Sequence, residues 1–217
     1  MRKKRNLIPR MERCAHVQIK NPEDYKGLWA QKFPGYSSYH LELGCGKGRF
    51  TAEMASQNPD IFLIAIEKVP EAMVVGMERV CRGDIKNVRF IEYDASKIAD
   101  IFAPGEISRI YINFCDPWPK NRNAKRRLTA PGFLKIYREL LPENGEIWFK
   151  TDNVPLFDYS LKQFEKEGWQ LREVTRDLHK NGPVGVMTDY EIKFVSQGVK
   201  INRFVAVRPQ SVSNDNG

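Results

Sequence analysis

Apolar positions along this chain fall into two alternating rhythms. Short apolar runs, "YHLEL" (39–43), "IFLIAIE" (61–67), "VRFIEYD" (88–94), "RIYINFC" (109–115) and "EIWFKT" (146–151), predict strands. Between them, helical spacing predicts helices over Arg49–Gln57, Glu71–Val80, Phe133–Leu141 and Pro155–Glu167. In the last of these, Leu156, Tyr159, Leu161 and Phe164 form the apolar stripe and Gly168 is the stop signal. Strands alternating with helices argue for βαβ units around a mostly parallel sheet. Beyond Gly168 the rhythm changes. "WQLREVTRD" reads as a strand, and "TDYEIKFVSQG" as a short helix with Thr188 as N-cap and Glu191 at its third position. "INRFVAVR" then closes an antiparallel pair. The start of the chain is less regular. A basic arm over residues 1–20 leads into "NPEDYKGLWAQKFPGYSSY", which mixes Pro, Gly and aromatics and reads as loosely helical. Residues 21–209 are expected to form one domain, and 210–217, "QSVSNDNG", a disordered tail.

Composition narrows the partners. The 217 residues, 41% hydrophobic and 29% charged, suffice for one sizeable core. A net charge of +8 and a pI near 9.3 favour polyanions such as nucleic acid. No apolar run reaches the roughly 18 residues of a membrane span, and "MRKKRNLIPRMERC" lacks the apolar segment of a signal peptide, so no membrane role and a cytoplasmic location are expected. The oligomeric state is left open between monomer and homodimer. Cys14, Cys45, Cys81 and Cys115 are more than thirty positions apart, and His16, His40 and His179 are equally scattered, which argues for free thiols and no metal site.

The candidate chemistry begins at "LELGCGKGRF", where Gly44, Gly46 and Gly48 lie between an apolar strand and a helix. Such glycines allow a tight turn and close approach of backbone to a nucleotide-like cofactor. The dinucleotide fingerprint needs its third glycine where this chain has Arg49, so the spacing departs from the nicotinamide form. Glu67 and Asp94 end the second and third strands, at the sheet edge where ligands bind, and suit ribose hydroxyls and an adenine amine. Glu42, inside the first strand, is a carboxylate whose burial requires a partner, and a cationic ligand would supply one. S-adenosyl-L-methionine offers a ribose diol, an adenine, an amine and a sulfonium without a phosphate, which fits an acidic lining better than a pyrophosphate does.

On the same edge, "NFCDPWPKNRNAKRR" sets Asp116 among Pro117, Trp118 and Pro119, a stiff loop able to hold a carboxylate and an aromatic face near a planar substrate. A run rich in basic residues follows directly, with Lys120, Arg122, Lys125, Arg126 and Arg127 charged and Asn123 and Ala124 between them. Phosphate contacts there would position a polynucleotide while Asp116 meets a base.

With "ELGCGKG", "INFCDPWPK", "KRRL", "FKTDN" and "MTDYE" in this order, the chain resembles the bacterial tRNA (guanine-N7-)-methyltransferase family over nearly its whole length. The resemblance implies an α/β fold, the Rossmann-like class I methyltransferase, with a seven-stranded mostly parallel sheet, helices on both faces and an antiparallel C-terminal strand. It implies methyl transfer from S-adenosyl-L-methionine to a guanosine in the variable loop of tRNA. It also implies that Glu42, Glu67, Asp94 and Asp116 serve the cofactor, with Asp116 catalytic. Lys120, Asp152, Thr188, Asp189, Tyr190 and Glu191 would form the substrate site, and residues 122–127 the RNA contact. Bland roles coexist with these: Asp152 or Asn153 could cap the next helix, and "TDYE" has the form of a capping box. Asp116, Asp152 and Glu191 remain open as the carboxylate that accepts from guanine. The rival readings are an amine methyltransferase acting on another RNA, a non-catalytic RNA-binding protein, and, third, a nicotinamide oxidoreductase.

Overall fold

The computed structural model describes residues 6–210. Its centre is an eight-stranded sheet: β1 (Gln18–Ile19), β2 (Ser38–Leu43), β3 (Ile61–Glu67), β4 (Val88–Glu92), β5 (Arg109–Asn113), β6 (Glu146–Thr151), β7 (Gln170–Thr175) and β8 (Asn202–Val207). The spatial order is β1-β4-β3-β2-β5-β6-β8-β7. Strands β1 to β6 pair in parallel, and β8 lies antiparallel between β6 and β7.

Helices on both faces explain why the central strands are apolar at nearly every position. On one face, Phe62, Ile64 and Ile66 of β3 meet Leu134 and Tyr137 of α5 (Pro131–Leu140), Phe157 and Phe164 of α6 (Val154–Lys166), and Trp29 of α2 (Trp29–Lys32) in one core. On the other, Leu63 and Ala65 join Phe50 and Ala55 of α3 (Arg49–Gln57) and Met73, Met77 and Val80 of α4 (Pro70–Arg82). The strand's two-residue alternation thus feeds two cores from one segment.

The predicted strands all form, and the sheet gains an eighth, β1, which pairs with β4 at its edge. Strands β4, β5 and β7 each stop two residues short of their predicted ends, and β8 one residue short. β4 stops at Glu92, because Asp94 caps a 3-10 turn over Ala95–Asp100 by accepting the Ser96 N–H. β5 stops at Asn113, because Phe114 turns into the left-handed region at φ +52°. The lead-in resolves into a 3-10 turn, Pro22–Tyr25, and α2, packed by the fully buried Trp29, whose indole N–H donates to the Ile101 carbonyl at 2.9 Å. Of the stretch read as a basic arm, residues 1–5 lie outside the described part. Within the rest, α1 (Leu7–Arg13) docks on α4 through a bidentate pair from Arg10 to Glu78, both contacts at 2.7 Å. The tail from residue 211 lies outside the described residues. Among the described residues no helix is long and apolar enough to cross a membrane.

Candidate active site

The parallel strands end on one edge, and β2 supplies its first functional groups. Gly44, Gly46 and Gly48 all take positive φ, +77°, +55° and +67°. Two different reasons lie behind them. A Cβ on Gly44 or Gly46 would project into open space, whereas one on Gly48 would lie 2.5 Å from the Cα of Gly76 on α4. Gly48 therefore lets α3 and α4 touch backbone to backbone, and Gly44 and Gly46 leave a bare peptide wall facing the cavity. The Glu67 carboxylate braces that wall, accepting the Gly46 N–H at 2.8 Å and the Lys68 and Val69 N–H groups at 2.8 and 2.9 Å.

The cavity measures about 380 Å³ and is lined by Glu42, the glycine loop, Phe50, Ala72, Asn113, Phe114, Thr188, Asp189, Tyr190 and Lys193. Glu42 is 1% exposed. It accepts from Thr51 Oγ1 at 2.6 Å and, weakly, from Asn113 Nδ2 at 3.4 Å. Burial pushes its pKa up to about 7, against the opposing pull of those donors and of Lys150. The sign for stability follows. As pH rises from about 4.5 to about 7, the unfolded chain has already released a proton that folded Glu42 retains, so this group makes the fold progressively less stable across that window and has a constant effect above it. Urea unfolding across the window should show wild type losing stability relative to Glu42→Gln; parallel curves would refute the assignment.

Asn113, which sequence reading passed over, ends β5 beside Glu42 and is 7% exposed. Its Oδ1 is buried without a hydrogen-bond donor. A polar residue closing an otherwise apolar strand was the signal available. Asp94 stands further along the edge, held well below the usual carboxylate range by the Lys68 ammonium at 2.6 Å and by Ser96.

The loop after β5 is bent twice, with Phe114 at φ +52° and Trp118 at φ +42°. Arg127 holds it in that shape. Its guanidinium donates to the carbonyls of Pro117 at 3.1 Å and Trp118 at 3.0 Å, and lies 4.3 Å from the Tyr159 ring centroid. Arg127 is only 9% exposed, so this member of the predicted RNA-contact run faces inward. Arg126 stacks on Trp118 at 3.6 Å from the ring centroid. Lys120, Arg122 and Lys125 are exposed around a 3-10 turn, Asn121–Arg126, with Asn123 and Ala124 half-buried. Asp116 is exposed at the mouth of the loop. Asp152 follows β6 half-buried, and it is Asn153, not Asp152, that caps α6 by accepting the Leu156 N–H at 2.8 Å.

The last wall is the start of α7 (Asp189–Ser196), where the capping box of Thr188 and Glu191 forms. Thr188, Asp189 and Tyr190 line the cavity, and Asp189 pairs with Arg79 of α4 at 3.0 Å. Glu191 of this motif faces inward. It is 0% exposed, with Lys150 Nζ at 2.6 Å on one oxygen and His179 Nε2 at 2.9 Å on the other, and so does not face a guanine here.

A family model described as "Putative methyltransferase" matches residues 37–204. The tRNA (guanine-N(7)-)-methyltransferase of Brevibacillus brevis is 47% identical over 190 residues, covering 87% of this chain and 89% of that protein. Its namesake in Streptococcus suis is 48% identical, with 87% and 89% covered, and that in Listeria monocytogenes 46%, with 91% and 92% covered. Among solved structures, the 16S rRNA methyltransferase KamB aligns with a TM-score of 0.65 at 13% identity, over 85% of this chain and 94% of that one. A 16S rRNA (adenine(1408)-N(1))-methyltransferase variant from Catenulisporales acidiphilia, solved with cosubstrate SAM, aligns at 0.61 and 12% identity, over 88% and 93%. At such identities the likeness is one of fold, that of class I methyltransferases.

Proposed function

Because this chain belongs to the tRNA (guanine-N7-)-methyltransferase family, and methylates guanine N7 in tRNA with S-adenosylmethionine as donor, we propose that the guanosine comes from the variable loop and that Asp116 is the catalytic carboxylate. The observation that carries the site assignment is the pair of buried acceptors, Glu42 and the unpartnered Asn113 Oδ1, on the wall of a glycine-lined cavity.

The residues present fit that donor. Gly44 and Gly46 leave room for a ligand against the peptide, Glu67 and Asp94 follow on the same edge, and no phosphate is needed to match them. Glu42 and Asn113 Oδ1 would hold its ammonium, and Glu67 its ribose. When bound, S-adenosylmethionine supplies an electrophilic methyl group on a sulfonium. The protein's task is alignment. Guanine N7 already carries a free lone pair, so no base is needed to remove a proton before the C–N bond forms. Holding reactants in line contributes on the order of 7–11 kcal/mol. The purine gains positive charge as the methyl arrives, and Asp116, accepting from guanine N–H groups, stabilises it. Asp152 supports the base from the neighbouring strand end. Lys120, Arg122, Lys125 and Arg126 hold the phosphates, and Arg127 keeps the loop in shape for them.

The direct test is incubation with unmodified tRNA and labelled S-adenosylmethionine, followed by nucleoside analysis. Label is expected in 7-methylguanosine at a variable-loop position; label in another nucleoside would overturn the base assignment. The ammonium contact has its own test. Asn113→Leu should weaken S-adenosylhomocysteine binding by about tenfold, the order of one hydrogen bond to a charged group, yet leave 5′-methylthioadenosine, which has no amino-acid part, unaffected. Equal losses for both ligands would make Asn113 a packing residue.

A further inference from the structure

We infer that Lys150 and His179 are positioning residues for the substrate-facing turn of α7, acting through Glu191. The inference rests on guanine-N7 methylation as the reaction.

Glu191 belongs to a capping box, and an acid in that place commonly meets solvent. Here it points inward and ties three separate segments together. Lys150, on β6, donates to Glu191 Oε2 at 2.6 Å and to the Val186 carbonyl at 2.9 Å. His179 takes the Val184 N–H on Nδ1 at 3.1 Å, which places its proton on Nε2, and that nitrogen donates to Glu191 Oε1 at 2.9 Å. The Thr188 N–H completes the set on Oε2 at 3.2 Å. The rigid sheet, the 176–187 loop and the first turn of α7 therefore share one buried carboxylate.

Stability alone does not account for such an arrangement. Buried ion pairs replaced as a unit by neutral groups often cost nothing, because the desolvation penalty disappears with the attraction. What the ionic set supplies is a fixed direction. Lys150 and Glu191 meet in one geometry, and Thr188, Asp189 and Tyr190, which line the cavity opposite the glycine loop, take their place from it. No hydrogen bond of this network reaches Gly44, Gly46, Glu67 or Asp94, although the Lys150 charge acts on Glu42 through space, so loosening α7 while keeping that charge would cost rate before cofactor affinity.

The test uses full-length protein carrying Lys150→Met with Glu191→Gln, which removes both buried charges together, and separately His179→Ala, which keeps the Lys150–Glu191 pair. Thermal unfolding establishes which variants fold. Single-turnover rates are then read at saturating tRNA and S-adenosylmethionine, and the Kd for S-adenosylhomocysteine by calorimetry. The rate should fall about tenfold or more in the double variant and about fivefold in His179→Ala, with the Kd of His179→Ala, which keeps the Lys150 charge near Glu42, within about threefold of wild type, as expected for misplacement remote from the reacting atoms. Folded variants with rates within about twofold of wild type would overturn the inference, as would a loss of cofactor affinity in His179→Ala that matches its loss of rate. If the double variant does not fold, His179→Ala decides by the same criteria. Wild-type protein forming no 7-methylguanosine in this assay would instead refute the reaction on which the inference rests.

Discussion

Asp116→Ala is expected to lower the single-turnover rate of methyl transfer into tRNA by about 10²–10³-fold, the cost of removing one preorganised electrostatic contact in an active site. Its affinity for tRNA should stay within about threefold, because phosphate contacts from the neighbouring basic turn supply most of the binding. The family resemblance implies this role for Asp116, and its position is compatible with it. Of the three carboxylates open to the role, Glu191 is buried with both oxygens engaged. Asp152 lies half-buried after β6, one strand further from the glycine loop in the sheet order. Asp116 is exposed on the loop after β5, which is β2's direct neighbour, and that loop is fixed by two residues at positive φ and by the Arg127 guanidinium. Rapid-quench rates with filter-binding affinities would separate the two effects. An Asp116→Ala protein with full activity would remove the residue from catalysis, and a larger loss in Asp152→Ala would transfer the role there.

Gly48→Ala is expected to destabilise the fold by about 3–5 kcal/mol, a fall in Tm of roughly 10 °C for a chain of this length. Two costs combine. The added methyl group must accept φ +67°, worth about 1–2 kcal/mol for an L-residue, and its Cβ would stand 2.5 Å from the Cα of Gly76. The obstacle is backbone, so no rotamer change relieves it, and α3 and α4 must separate. Gly44→Ala provides the contrast. It has a similar φ, +77°, but open space around the new methyl. Its loss should be confined to about 1–2 kcal/mol of backbone strain, and cofactor affinity should suffer more than Tm does. Calorimetric unfolding of both variants would test the pair, and equal Tm values would show that the Gly48–Gly76 contact has no special weight.

Much of the fold was legible because both periodicities were strong. The continuous apolar run "IFLIAIE" and the capping signals around α7 are local, and the structure follows them. β1 was not legible: two residues carry no period, and only the free edge of β4 gives them a partner. The ends of β4 and β5 were overestimated for a related reason. "VRFIEYD" and "RIYINFC" stay apolar enough to read as strand, while Asp94 capping and the turn at Phe114 end the ladders first. At the site, residue types could be read but not the direction in which they face. Glu191 and Arg127 are charged residues in motifs that invite contact with a substrate, and both turn inward because tertiary partners, Lys150 and His179 for one and the Pro117 and Trp118 carbonyls for the other, satisfy them there. Lys150 and His179 act at long range in sequence and no local pattern marks them, whereas Asn113 is marked only as a polar residue closing an apolar strand.

The inward turn of Arg127 changes the polyelectrolyte arithmetic of the loop. Each cation that neutralises a phosphate releases condensed counterions, and the steepness with which affinity falls as salt rises counts those cations, at about 0.7–0.9 per contact. A tally from the primary structure would enter five basic side chains between Lys120 and Arg127. Arg127 spends its charge on peptide carbonyls and releases no counterion, so the salt slope reads four at most from this turn, and the fifth arginine is registered in its stiffness.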